Sequence, residues 1–92
     1  MSLWLRIVLI TGTPEQVREV AARHRETVRD LAATGTLRLA CELGRGDGFV
    51  EIFAAPDRRA AEDATRALPL VEAGMGSTLL RELEPGTLVV PD

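Results

Sequence analysis

Residues 3 to 11, "LWLRIVLIT", are apolar or β-branched at nearly every position, the pattern of a strand covered on both faces, and so predict a central strand. The period then changes. From residue 17 the apolar positions are Val17, Val20, Ala21, His24, Val28, Leu31 and Ala32, which share one face of a helix. The helix has legible ends: Thr13 as N-cap, Pro14 at the first helical position, Gln16 closing a capping box and Gly35 as C-terminal stop. Alternation returns in "TLRLACEL", 36 to 43, with Leu37, Leu39, Cys41 and Leu43 expected on one side and Arg38, Ala40 and Glu42 on the other. The loop "GRGDG" leads into "FVEIFAA", 49 to 55, where Val50, Ile52 and Ala54 alternate with Phe49, Glu51 and Phe53. Two alternating runs joined by a glycine-rich loop predict an antiparallel hairpin.

Pro56-Asp57 opens a second helix with Ala60, Ala61, Ala64 and Leu68 on its apolar face, and Pro69 disfavours its continuation. "STLLREL", 77 to 83, reads as a fourth strand. "TLVV", 87 to 90, reads as a short fifth one after the Pro85-Gly86 turn.

The order β-α-β-β-α-β predicts an α+β, ferredoxin-like sandwich with two helices on one face of a four-stranded antiparallel sheet. A single domain over residues 1–92 is expected, with its core at about 3–84 and residues 85–92 as an extra strand or tail. The wholly apolar set Leu3, Leu5, Ile7, Leu9, Leu37, Leu39, Leu43, Val50 and Ile52 is expected under the helices, and with it Cys41 as an inert packing residue. The other face would carry Trp4, Arg6, Val8, Ile10, Arg38, Glu42, Phe49, Glu51 and Phe53, too apolar for water and too charged for an ordinary core. A second copy is therefore expected on that face, with a cavity of aromatic walls and convergent charges either between the two sheets or between each sheet and its own helices.

Composition narrows the partners. The net charge is −3 with no lysine, and the eleven arginines are dispersed among fourteen acids, which argues against a nucleic-acid partner. The longest apolar run, Ile7 to Ile10, is far short of the roughly 20 residues that span a bilayer, and no signal pattern follows Met1, so no membrane partner and a cytoplasmic location are expected. One cysteine allows no internal disulfide, and one histidine with one cysteine makes a zinc site an unfavoured reading. Neither a metal nor a cofactor is expected. The Arg-Gly-Asp in the hairpin is read as turn chemistry only.

His24 in the first helix, "LAATGTLRLACEL", the Asp47-Gly48 hairpin, "VEIFAA", and "ALPLVEAGM" followed by "LLREL" together resemble the dimeric α+β barrel superfamily, and within it the YCII-related proteins and muconolactone isomerases. The resemblance covers residues 4 to 84 and rests on the order and spacing of these words. It implies a cofactor-free homodimer or larger ring with proton-transfer chemistry on small lactones or phenol-derived acids. YCII-related proteins carry an Asp immediately before the Pro of this segment; Leu68 stands there here, so their His-Asp pairing does not carry over. The Leu-Pro-Leu at 68 to 70 is closer to the muconolactone isomerases.

The candidate catalytic residues are His24, Glu51, Arg6 and Arg38. An imidazole exchanges protons near neutral pH, as a double-bond shift or an elimination requires; the plainer reading is a histidine packed at the sheet edge. Arg6 and Glu51, on adjacent strands, read either as anion holder and proton shuttle or as an ion pair that sets dimer register. Arg38 is the alternative anion holder. Trp4, Phe49 and Phe53 are expected to line the pocket or to form dimer core, with Arg81 as a further lining residue, and "EAGMGS", 72 to 77, is expected at the pocket mouth, with Met75 read as part of a plain connection or, alternatively, as a flexible lid. The leading function is a cofactor-independent isomerase, lyase or cyclase acting on a small lactone, phenolic or polyketide-like compound. The alternatives are a non-catalytic small-ligand module and a cofactor-free oxygenase of an aromatic polyketide.

Overall fold

The computed structural model of the chain describes residues 1–84, so the expected fifth strand at 87 to 90 lies outside the described residues. Seven elements follow one another: β1 (Ser2–Ile10), α1 (Pro14–Ala33), β2 (Leu37–Glu42), β3 (Gly48–Ala55), α2 (Arg58–Arg66), α3 (Pro69–Glu72) and β4 (Gly76–Leu83). The strands form one antiparallel sheet in the order β2-β3-β1-β4, the ferredoxin-like α+β arrangement with β1 and β3 at its centre.

Local chemistry sets the element ends. The Thr13 side chain accepts from Gln16 N and the Gln16 side chain accepts from Thr13 N, a reciprocal box that satisfies two otherwise free donors of α1. Gly35, at φ +80°, turns the chain out of the helix in the left-handed region where a Cβ would be strained. The second predicted helix is divided. Asp57 caps α2 through Ala60 N; the chain extends at Leu68, as a residue before proline must, and Pro69 starts the single turn α3.

The sheet faces are the reverse of the sequence expectation. Trp4, Arg6, Val8, Glu51 and Phe53 are buried, while Leu3, Leu9, Leu39 and Leu79 are among the exposed large hydrophobics. Trp4, Phe53, Leu37, Ala55 and Ala61 form the core, with Val28 and Leu31 of α1 packed on it. The charged, aromatic face is thus the one beneath the helices, and the aliphatic one is open. Burial selects this arrangement because the two large aromatics fill the space under α1 and α2, and because Arg6 and Glu51, directly opposite in register, satisfy each other there.

A bulge corrects a second expectation. Leu37 pairs with Phe53 but Leu39 pairs with Ile52, so Arg38 is an extra residue that breaks the alternation of β2. Leu37 enters the core, whereas Leu39 and Cys41 fall on the open side, and Cys41 is exposed rather than packed under the helices. Arg38 donates from Nε to the Gly35 carbonyl at 2.6 Å, which ties the bulge to the end of α1.

Candidate active site

Between α1 and the β2-β3 half of the sheet lies an open cleft of about 310 Å³, lined by His24, Arg25, Val28 and Arg29 of the helix and by Ala40, Cys41, Glu42, Phe49 and Glu51 of the strands. His24 is the one buried residue of α1. Its ring lies 5.1 Å from that of Phe49, tilted by 49°. Its Nδ1 is buried and has no hydrogen-bond partner among the described residues. Desolvation lowers its pKa from 6.5, opposed by the negative charge of Glu51 and assisted by the positive charge of Arg6. The imidazole is therefore predominantly neutral at pH 7, with one nitrogen able to accept a proton.

Behind His24, β1 and β3 bring Arg6 and Glu51 together. Arg6 Nε donates to Glu51 Oε1 at 2.6 Å, with both side chains almost wholly withdrawn from solvent. The guanidinium carbon stands 4.2 Å above the centroid of Phe53, and Nη1 donates to Thr65 Oγ1 at 3.4 Å. The Thr65 hydroxyl in turn donates to the Ala61 carbonyl at 2.8 Å, so its lone pairs are turned toward Arg6. Strand, sheet face and helix together hold this charge pair in one geometry, with Glu51 facing the cleft and Arg6 sealed behind it.

Four of the other residues singled out by the sequence are placed elsewhere. Arg38 is exposed and engaged with Gly35, away from the cleft. Trp4 is core and donates from Nε1 to the Ala55 carbonyl at 3.3 Å. Arg81 is exposed and borders a separate groove between α2 and β4. Met75 is buried against Gly12, where a Cβ would come within 2.7 Å of its side chain, so it is a packing residue and "EAGMGS" does not border the His24 cleft. Phe53 reaches the site only through Arg6, while Phe49 lines it directly. Leu68 is in the core, so no carboxylate reaches His24 from that position.

Glu42 lines the cleft from the charged, aromatic face on which the alternation of β2 placed it, whereas Arg25 and Arg29 were not singled out by the sequence. The signal was present for both arginines: they follow His24 and Val28 by one position each, on the adjoining ridge of the helix. No helix of the described residues is long and apolar enough to cross a membrane.

No family model and no curated protein matches the chain. Solved structures do. Muconolactone isomerase superposes with a TM-score of 0.76 at 19% identity, the match covering 98% of each chain. The 5-chloro-2-hydroxyhydroquinone dehydrochlorinase of Burkholderia phenoliruptrix, determined in complex with 2,5-dihydroxybenzoquinone, superposes with a TM-score of 0.70 at 19% identity over 91% of this chain and 95% of that one. The chain thus shares the fold of these two enzymes over nearly its whole length.

Proposed function

We propose that the α1-sheet cleft is the active site of a cofactor-independent isomerase or lyase acting on a small unsaturated lactone or phenol-derived compound. The observation that carries this reading is His24: a buried imidazole held in its neutral form, its Nδ1 without a hydrogen-bond partner among the described residues, in a cleft with apolar walls. His24 removes a proton from a carbon made acidic by a neighbouring carbonyl. In an isomerisation it returns that proton further along the conjugated system; in an elimination it keeps the proton while the leaving group departs. Glu51 is the second proton carrier. Arg6, bonded to Glu51 and Thr65, is the positioning residue that fixes the carboxylate. The two superposable enzymes, an isomerase and a dehydrochlorinase, support reactions of these kinds.

The open aliphatic face, with Leu3, Leu9, Leu39 and Leu79 exposed, is proposed to be covered by a second copy of the chain, since a patch of this kind is unfavourable in water.

Deuterium wash-in tests the chemistry. A panel of unsaturated γ-lactones incubated with the protein in deuterated water is followed by proton NMR, with the expectation of catalysed exchange at the acidic carbon, abolished by His24→Ala and strongly reduced by Glu51→Gln. The tie between Glu51 and Arg6 favours a second reading, a non-catalytic ligand module, because it commits one carboxylate oxygen to structure. Binding of panel members without any exchange would establish that reading instead. A product formed only in air would identify the oxygenase variant.

A further inference from the structure

Arg25 and Arg29 stand four residues apart on α1 and both line the His24 cleft. Like charges at that spacing repel and weaken a helix, so helix stability does not account for the pair. Nor does ion pairing: Arg58 and Arg66 of α2 have acidic partners, whereas no ion pair of Arg25 or Arg29 exists among the described residues. Glu42, on the strand side of the same cleft, is bonded to neither of them. Two guanidiniums against one free carboxylate leave the mouth of the cleft positive on a chain whose net charge is −3.

The floor is different in kind. Val28, Ala40 and Phe49 present apolar surface, and the His24 ring lies 5.1 Å from that of Phe49. A flat unsaturated ring suits that floor, and an acidic substituent on it meets the arginine ridge. The helix fixes the separation, because Arg25 and Arg29 lie one position beyond His24 and Val28.

We infer that Arg25 and Arg29 form a carboxylate clamp that makes the site selective for planar, unsaturated carboxylates over neutral rings of the same shape. The inference rests on the reading of this cleft as a ligand site. Guanidinium groups bind carboxylates in fork geometry, and the neighbouring apolar wall reduces the solvent screening that weakens an exposed pair. Arg6 does not fill this role, since it is sealed behind Glu51.

The test compares 3-hydroxybenzoate with 3-hydroxybenzyl alcohol, which differ in the acidic group alone, using the His24 ring resonances to report binding. The benzoate is expected to bind roughly tenfold tighter, in line with a charge-assisted contact. The preference should shrink as salt is raised and vanish in the Arg25→Gln/Arg29→Gln variant, while the alcohol keeps its affinity and its effect on His24. Both positions are exposed, so the variant should fold as the parent does. Equal affinities for the two compounds, with His24 responding to both, would overturn the clamp and leave the site. Benzoate binding that leaves His24 unmoved would overturn the clamp by placing the anion elsewhere. A His24 ring indifferent to both compounds would overturn the site reading, and the clamp with it.

Discussion

Arg6 and Glu51 face one another across the two central strands and meet at 2.6 Å beneath the helices, where neither side chain reaches solvent. Breaking such a pair leaves the surviving charge buried and unpaired. Glu51→Leu is therefore expected to destabilise the fold by about 3–5 kcal/mol, while Arg6→Met combined with Glu51→Leu should recover most of that loss. Urea denaturation at neutral pH measures both. If the single and double variants prove equally unstable, the pair does not act as a unit.

His24 makes stability depend on pH in a defined direction. Its folded-state pKa lies below the unfolded value of 6.5, so as pH falls the unfolded chain takes up the proton first. The contribution is fully present above 6.5 and is lost as pH falls from there toward the lowered folded value. Comparing the wild type with His24→Leu by urea denaturation at several pH values should show this loss in the wild type alone. Because Nδ1 is buried without a partner among the described residues, His24→Leu is also expected to be more stable at neutral pH, by about 1 kcal/mol, and inactive.

Gly48 is required by close approach. A Cβ there would lie 2.1 Å from the Val8 carbonyl oxygen, a backbone atom of the paired strand, whereas at Gly44 it would meet nothing within 4 Å. Gly48→Ala should force β3 off β1 and cost about 3 kcal/mol or more, and Gly44→Ala should stay within about 0.5 kcal/mol of the parent. Thermal unfolding of the two variants side by side distinguishes a specific requirement from a general intolerance of the hairpin.

On the open face, Leu79 lies beside Ile7 on the neighbouring strand and is 43% exposed. A charge there costs the monomer little but is costly if another sheet covers it. Leu79→Glu is expected to halve the mass measured by light scattering while the His24 resonances keep their positions. An unchanged mass would mean that this face is not the contact between copies.

The N-terminal stop of α1 at Thr13-Pro14-Gln16, its exit at Gly35, the hairpin between β2 and β3, and the break at Leu68-Pro69 were all readable in the sequence. They depend on interactions within a few residues, and capping, proline geometry and left-handed glycine act there regardless of what packs above. The order of elements, and hence the fold class, followed from them. The pairing of Arg6 with Glu51 was also legible, since adjacent central strands place the two side chains together.

Which face lies under the helices was decided only in three dimensions. In β1 both alternating sets are largely apolar, so a period of two identifies two faces without saying which is inside. The choice depended on Trp4 and Phe53 filling the space beneath α1 and α2, and on Thr65, 59 residues from Arg6 along the chain, closing the polar cluster. The bulge at Arg38 likewise has no signature in the alternation of β2, because it is set by the partner strand and by the Gly35 carbonyl. Local sequence determined the elements and their order through short-range chemistry; volume and polar satisfaction across distant segments determined the inside of the sheet, and with it the place of the site.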